Sequence, residues 1–349
     1  MASHGQKHRF WIKNSGGVMN VFDKCENVFD KYEFELETIT PIIMSGADQQ
    51  KFEWRSQSTK GLMRWWFRVA GGSREDEEKI FGSGGEKANA SKVRIRTDIV
   101  NKREKVCGEW YQNLEGEGIR YLGYSLRGSE RKMIFKGRFK LIVMFPRIQK
   151  LEDMPLNCLK KKVFATLWLM VSLGNFGTRA RRGFGSMRFV AYPNEIKEYG
   201  LQFDFSDKDK IEEWIKNNLK KIESIIPNTA GLKFTVWYLE KNWDEFGKIF
   251  KEERKQMELK DRLIFGAPLI QYFPRGRKTK KFCSNRKASQ LIVKPYPKNV
   301  IIFTVIHNPN LSSIPEDHCV RKHLKDNVKR IPQEIENFLR GLQAQRIYP

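Results

Sequence analysis

A loop at residues 174–188, which we term the Gly/Arg loop, holds side chains well suited to binding an anion. It reads Gly-Asn-Phe-Gly-Thr-Arg-Ala-Arg-Arg-Gly-Phe-Gly-Ser-Met-Arg. Glycine lets the backbone approach a ligand and adopt positive φ, so that successive N–H groups can form an anion-binding nest. Arginine adds bidentate contacts to phosphate, and Phe176 or Phe184 can stack on a base. We therefore predict contact with nucleic acid; the alternative is a glycine-rich surface turn with solvated charges. The predicted contact residues are Gly177, Arg179, Arg181, Arg182, Gly183, Phe184, Gly185 and Arg188.

A second cationic feature, the cationic stripe, consists of Lys60, Arg64 and Arg68, spaced four apart on a helix predicted at 59–70. Apolar side chains occupy nearly all other positions, so the helix is expected to be mostly buried. Because burying unpaired cations costs several kcal/mol, the stripe must face carboxylates of the fold or an external anion. No acidic residue lies within the helix, which favours phosphate contact.

The elements that must position these residues follow from hydrophobic periodicity. Residues 31–193 are predicted to form a first unit, with strands at 32–40, 92–100, 131–145 and 186–192 and helices at 59–70 and 158–173. This βαββαβ order is the ferredoxin-like pattern that the RRM uses to present RNA on its sheet or loops. Residues 108–128 are predicted to be irregular loops.

Residues 194–349 are predicted to form a second, degenerate copy of the same fold after a polar linker at 193–209. Its predicted helices lie at 209–226, 243–259 and 320–343, and its predicted strands at 233–239, 290–294 and 299–307, with no evident last strand. Residues 1–30 are treated as an N-terminal extension. The predicted fold class is therefore α+β, with two ferredoxin-like units.

The amino-acid composition of the chain limits the class of its binding partner. Lysine and arginine outnumber aspartate and glutamate by 65 to 41, a formal net charge of +24 that favours a polyanionic partner. No apolar run approaches the roughly 18 residues of a membrane-spanning helix, which favours nucleic acid over a membrane. Five cysteines are scattered singly without C-x-x-C spacing, as expected of a cytoplasmic protein and not of a disulfide framework or zinc ribbon.

Catalytic residues are not evident. Metal-free RNA cleavage usually needs a general acid and base, most often histidine. The chain has five histidines without a recognisable pair; we predict a structural role for His307 and surface positions for His318 and His323. No metal-binding or nucleotide-binding motif is present. The sequence therefore predicts a binding protein, not an enzyme, with no cofactor and no metal.

Several of these motifs together resemble the RAMP superfamily of CRISPR proteins. The resemblance comprises Thr40-Pro41, Gly46, Arg55, Ser58, Lys60-Gly61, Arg64-Trp65-Trp66 and the glycine-rich Gly177 to Gly185. A second similarity is Arg286-Lys287-Ala288-Ser289 with Leu291, which resembles the superfamily's Arg-Ala-Ser-Pro element, although Gln290 stands where proline is common. The Lys-Gly-x-x-Arg-Trp-Trp helix is most similar to the first-numbered subunits of type III-B (Cmr) complexes. The resemblance spans residues 33–295.

The resemblance implies a non-catalytic subunit of an RNA-guided complex that binds and silences complementary RNA. Its implied partners are guide RNA, target RNA and other Cmr subunits, with contacts near the 3′ region of the guide or to the guide–target duplex. It adds Arg55, Arg286 and Lys287 to the candidate RNA-binding residues. The basic segment 275–287 can meet RNA or an acidic neighbour. Two alternatives stay open: a RAMP endoribonuclease that processes guide precursors, and a stand-alone RRM-like RNA-binding protein.

Overall fold

A computed structural model describes residues 11–14, 17–20, 28–85, 88–147, 154–204, 210–227, 234–258, 261–265, 267–271, 280–287, 289–307 and 330–348. In chain order the elements are β1 (Trp11–Asn14), β2 (Gly17–Asn20), β3 (Phe29–Thr38), α1 (Ser56–Val69), α2 (Arg74–Phe81), β4 (Arg94–Val106), α3 (Cys107–Gln112), α4 (Glu117–Leu122), β5 (Lys132–Pro146), α5 (Leu156–Ser172), β6 (Met187–Ala191), α6 (Ile211–Ile225), β7 (Phe234–Leu239), α7 (Trp243–Gln256), β8 (Ala267–Gln271), β9 (Lys280–Lys287), β10 (Leu291–Tyr296), β11 (Val300–Ile306), α8 (Ile331–Gly341) and β12 (Gln345–Tyr348).

The first unit is an antiparallel sheet in the order β4-β5-β3-β6, covered on one face by α1 and α5. Phe34 and Leu36 of β3 pack with Trp66 of α1 and Phe164 of α5 in one buried cluster. α5 is apolar along nearly its whole length because the sheet covers one side and α6 packs near the other. The strand order and the two covering helices are those of a ferredoxin-like unit, which confirms the predicted fold class.

The second unit is an antiparallel sheet in the order β10-β11-β7-β12, which repeats the order of the first. The last strand, not evident in the sequence, is β12, whose Gln345 and Arg346 pair with Tyr238 and Trp237 of β7. Four residues are too few to show period-two alternation, so pairing and not pattern defines this strand. An antiparallel β8-β9 pair lies between α7 and β10 in the sequence.

The two units share buried surface. One face of the second sheet packs on α1 of the first unit and on α6: the ring centroids of Phe234 and Trp66 lie 6.1 Å apart, and those of Tyr296 and Trp214 lie 6.5 Å apart. β10 and β11 are buried throughout because both faces of this sheet are covered. Their continuous apolar runs follow from that double coverage.

The predicted polar linker at 193–209 is wrong for its described part. Residues Asn194–Tyr199 form a 3₁₀ helix, and Ile196, Leu201 and Phe203 are buried in the core of the first unit. Apolar residues spaced between charged ones anchor this segment, although its mean composition is polar. The boundary at 193/194 stays a prediction, since α6 also packs near α5.

The predicted irregular loops at 108–128 contain the short helices α3 and α4. α4 packs directly on α7, and the contact needs glycine on both sides: a Cβ on Gly118 would overlap the backbone of Asp244, and one on Gly247 would overlap Gly118. Asp244 Oδ1 also accepts a 3.0 Å hydrogen bond from the N–H of Ile119. The segment at 108–128 therefore holds the first unit against α7 of the second unit through this contact.

Candidate nucleic-acid interface

The Gly/Arg loop joins α5 to β6 and is hydrogen-bonded to the segment that follows β3. Thr40 Oγ1 donates to the carbonyl of Gly183 at 2.6 Å. The N–H of Gly185 donates to the carbonyl of Pro41 at 2.8 Å. Because the N–H of Gly185 has an acceptor within the protein, this group does not contribute to the predicted open nest of N–H groups.

Left-handed backbone conformations shape the loop, as its glycine content predicts. φ is 78° at Gly177, 89° at Gly183 and 72° at Gly185. A Cβ at Gly185 would also overlap the backbone of Phe176, so this position needs glycine for space as well as for conformation. The predicted positive φ values are confirmed, whereas ligand contact by these three glycines stays a prediction.

The loop is also bonded to the second unit. Asn175 Nδ2 donates to the carbonyl of Val293 at 2.7 Å, and Ser186 Oγ donates to that of Pro295 at 2.8 Å. Both acceptors belong to β10, the first edge strand of the second sheet. The loop therefore lies at the junction of the two units and is not a projecting surface turn.

The two aromatic rings of the loop are inside the protein. Phe184 is fully buried, and its ring centroid lies 4.8 Å from that of Trp243 and 6.0 Å from that of Trp110. Phe176 is buried as well. The expectation that one of these rings stacks on a base is corrected, because each is surrounded by protein.

Two of the loop's arginines lie over aromatic rings. The guanidinium carbon of Arg181 is 4.6 Å from the ring centroid of Trp65, and that of Arg182 is 4.7 Å from the ring centroid of Phe250. Arg182 Nη2 also donates to the carbonyl of Phe265 at 3.1 Å. Burial lowers the pKa of Arg181 to about 10 and that of Arg182, with help from neighbouring cations, to about 9. These groups are not the solvated surface charges of the alternative interpretation.

The other two loop arginines differ in exposure. Arg179 Nε donates a 2.7 Å hydrogen bond to Ser125 Oγ, and its pKa is lowered first by burial and then by a nearby arginine. Arg188 is exposed on β6 and pairs with Glu37 at 2.8 Å. Contact of either residue with RNA stays a prediction.

The cationic stripe meets a carboxylate that the sequence did not indicate. Arg64 Nε lies 2.8 Å and Arg68 Nη1 lies 3.1 Å from Glu77 Oε1, and the side chain of Glu77 is only 4% exposed. Glu77 belongs to α2, a helix that the sequence analysis missed. The stripe therefore faces a carboxylate of the fold through two of its members. Lys60 has no ion-pair partner in the described part of the chain, and burial followed by repulsion from Arg64 lowers its pKa.

A cleft of about 350 Å³ opens beside the stripe, between the first turn of α1 and the start of the Gly/Arg loop. α1 begins without a side-chain cap and without an acidic residue in its first turn, so its first N–H groups face outward with a partial positive charge. Arg55 is exposed at this end, and no salt bridge to it is found among the described residues. Asn175 is 4% exposed, and its Oδ1 has no hydrogen-bond partner within the described chain. The residues lining the cleft include Ser45, Glu53, Arg55, Ser58, Asn175 and Thr178.

The open face of the first sheet has a different charge pattern. Because Phe34 and Leu36 of β3 point into the core, Glu33, Glu35 and Glu37 point to the opposite face. Lys140 and Arg188 pair with two of these glutamates. The carboxylates of this central strand therefore lie among cations that offset them, and this face is not the uniformly basic surface that would favour RNA binding across the sheet, as in an RRM.

Arg254 of α7 belongs to the same region and was missed, since the sequence indicated only an exposed, charged helix. Its Nη1 donates to Tyr121 OH at 3.1 Å, and its guanidinium lies over Phe250 at 5.6 Å. It is a charged neighbour that lowers the pKa of Arg179 and Arg182. No local sequence signal relates residue 254 to residues 179–182, because only the packing of the two units brings them together.

Of the remaining candidates, Arg286 and Lys287 lie in β9, and residues 275–279 of the predicted basic segment lie outside the described residues. His307 Nε2 lies 2.9 Å from Glu336 Oε1 and 3.1 Å from Thr235 Oγ1, in keeping with a structural role. His318 and His323 are likewise outside the described ranges.

The described residues contain no group of three or more histidine, cysteine, aspartate or glutamate side chains placed to hold a metal ion. Among the helices described, none is long and apolar enough to cross a membrane.

Comparisons with known proteins agree with this architecture. A model of the RAMP superfamily matches residues 35–188. The CRISPR system Cmr subunit Cmr1-1 of Pyrococcus furiosus is 30% identical over 274 residues, which are 68% of this chain and 76% of that protein. The crystal structure of apo Cmr1 from the same organism has a TM-score of 0.57 at 23% identity, covering 91% of this chain and 99% of that one. A cryo-EM structure of the type III-B Cmr-beta complex bound to cognate target RNA has a chain with a TM-score of 0.52 at 13% identity, covering 79% and 94%. The two structures share the fold, and the sequence matches show that this chain belongs to the RAMP superfamily and, within it, to the Cmr1 family of CRISPR Cmr subunits.

Proposed function

We propose that the chain is a non-catalytic, cytoplasmic RNA-binding subunit of a type III-B (Cmr) complex. Its partners would be guide RNA, target RNA and other Cmr subunits, with contacts near the 3′ region of the guide or to the guide–target duplex. Family membership supports the complex, and a structurally similar chain occurs in a Cmr-beta complex bound to cognate target RNA. The net charge of +24 supports a polyanionic partner. In guide-directed systems base pairing reads the sequence, so a protein subunit needs chiefly to hold the backbone.

The cleft at the start of α1 is the observation that carries the proposal. An uncapped helix N-terminus presents free N–H groups and a partial positive charge, which together favour a phosphate group. Arg55 stands at the same end with no carboxylate partner in the described chain, and Ser58 adds a hydroxyl donor. The volume of about 350 Å³ also has room for part of a nucleoside. Glu53 supplies acceptor oxygens for a ribose 2′-hydroxyl, a group that separates RNA from DNA.

The cationic stripe supports phosphate contact at fewer of its residues than its spacing suggested. Glu77 neutralises one charge of the Arg64 and Arg68 pair, so one unit of positive charge remains beside Lys60. Lys60 and Arg55 are therefore the residues of this helix that we propose contact phosphate directly. Arg64 and Arg68 contribute chiefly to the stability of α1 on α2.

The proposal is tested by Arg55→Gln and Lys60→Gln, each measured for RNA binding as a function of salt. Each lost phosphate contact should lower the slope of log affinity against log salt by about 0.7 for single-stranded RNA. Arg74→Gln is a matched control, because Arg74 is a solvent-exposed arginine already paired with Glu78 at 2.8 Å. Equal slopes for wild type and Arg55→Gln would show that the cleft does not hold the backbone, and an equal slope for Lys60→Gln would show the same for the cationic stripe.

Assays on the same purified chain distinguish the two alternative functions from the proposed one. Cleavage of guide precursors by the purified wild-type chain, lost on substitution of a histidine, would establish an endoribonuclease. Tight RNA binding by a chain that stays monomeric beside purified Cmr subunits would establish a stand-alone binding protein. Co-migration with Cmr subunits and guide RNA, without cleavage by this chain, is the expected result.

A further inference from the structure

Three arginines converge where the Gly/Arg loop of the first unit meets α7 of the second. Arg179 and Arg182 come from the loop, and Arg254 comes from the helix. The guanidinium carbons of Arg182 and Arg254 lie 4.7 Å and 5.6 Å from the ring centroid of Phe250. Arg179 and Arg254 donate hydrogen bonds to Ser125 and Tyr121, four residues apart in the chain. In keeping with this proximity, Arg254 lowers the pKa of both loop arginines. We term these residues the arginine cluster.

Each member of the arginine cluster is partly withdrawn from solvent. Burial is the largest cause of the lowered pKa of all three groups. Neutral groups satisfy some of their donors: Ser125 Oγ for Arg179, the carbonyl of Phe265 for Arg182, and Tyr121 OH for Arg254. Arg254 Nε is buried without a hydrogen-bond partner in the described part of the chain.

No carboxylate compensates the cluster among the described residues. None of the three arginines has a salt bridge, in contrast to Arg64, Arg68 and many other cations of this chain. Like charges in a poorly solvated site repel one another, and each also loses hydration energy. The pKa of Arg182, about 9, leaves this group protonated at neutral pH. Among the described residues, the three positive charges thus have no carboxylate counter-charge in this region.

We propose that the arginine cluster is a binding site for a phosphate group of the bound RNA, held jointly by both units of the chain. This inference rests on the proposed function but concerns a site separate from Arg55 and Lys60. Guanidinium groups match the oxygens of a phosphate bidentately, and tyrosine and serine hydroxyls complete such sites.

The placement of the cluster favours RNA over a carboxylate from a neighbouring protein. Thr178 and Ala180, the neighbours of Arg179 in the chain, both line the cleft at the start of α1, so Arg179 places the cluster at the edge of the cleft. One carboxylate supplies a single negative charge, whereas an RNA strand supplies one at every nucleotide and up to two at a terminal phosphate, so a strand offsets more of the three positive charges. An RNA strand would therefore contact α1 with one phosphate and the junction of the units with another.

The first experiment uses the full chain and inorganic phosphate as the probe. A ligand that binds only the folded state stabilises it by RT ln(1 + [L]/Kd), so the Tm rises with the logarithm of ligand concentration above Kd. Phosphate at constant ionic strength should raise the Tm of wild type in this concentration-dependent way, relative to chloride. Arg254→Met should abolish most of this rise, and Arg254→Lys should retain part of it. An equal phosphate-dependent rise in wild type and Arg254→Met would overturn the proposal.

Arg340→Met is the matched control. Arg340 also lies on a helix, with its guanidinium 5.5 Å from the ring centroid of Trp237 and a 3.0 Å hydrogen bond to Asn337. It differs in having the carboxylate of Glu336 at 3.9 Å. Its removal should leave the phosphate response at the wild-type value. If Arg340→Met abolished the response as well, loss of any stacked arginine would explain the result and the specific site would be disproved.

RNA binding then identifies the source of the phosphate. Arg254→Met should weaken RNA binding about tenfold and lower the salt slope by about 0.7. A loss confined to RNA with a 3′-phosphate would assign a terminal phosphate, and an equal loss with 3′-hydroxyl RNA would assign the backbone. Unchanged RNA affinity, or weakened binding of a partner subunit alone, would overturn the proposal. A normal Arg55→Gln together with a defective Arg254→Met would refute the cleft while leaving the cluster in place.

Discussion

The pairing of the cationic stripe with Glu77 gives a prediction that separates stability from RNA binding. Glu77→Gln keeps the shape of a side chain that is 4% exposed but removes its charge. Charge-assisted hydrogen bonds contribute about 1.5–3 kcal/mol each when buried. The side chains of Arg64 and Arg68 are 33% and 55% exposed, and solvent screening reduces both contributions. We expect a loss of about 2 kcal/mol in the free energy of unfolding, most of it from the contact with Arg64.

The assay is thermal and chemical unfolding of single and double variants. A loss of about 2 kcal/mol corresponds to a fall in Tm of about 3 °C, because an unfolding entropy of roughly 2.1 cal/mol/K per residue applies to 349 residues. Arg64→Met combined with Glu77→Gln should cost clearly less than the sum of the two single variants, because each removes the same contact. Lys60→Met, in the same stripe but without an ion-pair partner in the described chain, should change stability by less than about 0.5 kcal/mol. Additive losses, or a Glu77→Gln chain as stable as wild type, would refute the structural role and restore phosphate contact as the explanation of the stripe.

Two further predictions concern the junction of the units. Gly118→Ala should lower the free energy of unfolding by about 1–3 kcal/mol, because the new methyl group overlaps the backbone of Asp244; Gly61→Ala, where a Cβ meets nothing within 4 Å, should be neutral or stabilising by up to about 1 kcal/mol in the same melts. Lys294 is fully buried with Nζ 2.6 Å from the carbonyl of Met187, and burial lowers its pKa well below its usual value. The unfolded chain then binds the proton more tightly than the folded chain, so stability should rise as pH increases toward 10.5. Unfolding measured across that range should show a smaller rise for Lys294→Met, and an identical pH dependence would contradict the assignment.

The sequence was sufficient for the fold class because each unit repeats patterns that only one arrangement satisfies. Alternation in β3 and the long apolar run of α5 identify a sheet with a covering helix. The order of strands and helices along the chain then indicates the ferredoxin-like fold. The sequence analysis missed α2 although the sequence carries a helix-start signal, a serine at 73 followed by acidic residues at 75–77. In the structure Ser73 caps the helix by accepting a hydrogen bond from the N–H of Asp76. β12 gave no such signal, because four residues at the end of the chain show no period.

The candidate site was predictable in position but not in chemistry. Glycine spacing located the Gly/Arg loop and its positive φ values, since conformation depends on local sequence. The partners of its side chains depend on long-range packing. Arg182 contacts Phe250 and Phe265, and nothing near residue 182 in the sequence indicates either. Burial of Phe184 likewise follows from Trp243, which arrives from the second unit.

The hydrogen bonds of the Gly/Arg loop to both β10 and the segment after β3 have a consequence for the rate and entropy of association. A loop fixed at both sides before RNA arrives loses little conformational freedom when RNA binds, so association requires little ordering of this part of the protein. Preorganised surfaces differ in affinity chiefly through their dissociation rates. We therefore expect substitutions that release the loop, such as Thr40→Val, to slow association, whereas substitutions of contacting arginines should mainly speed dissociation.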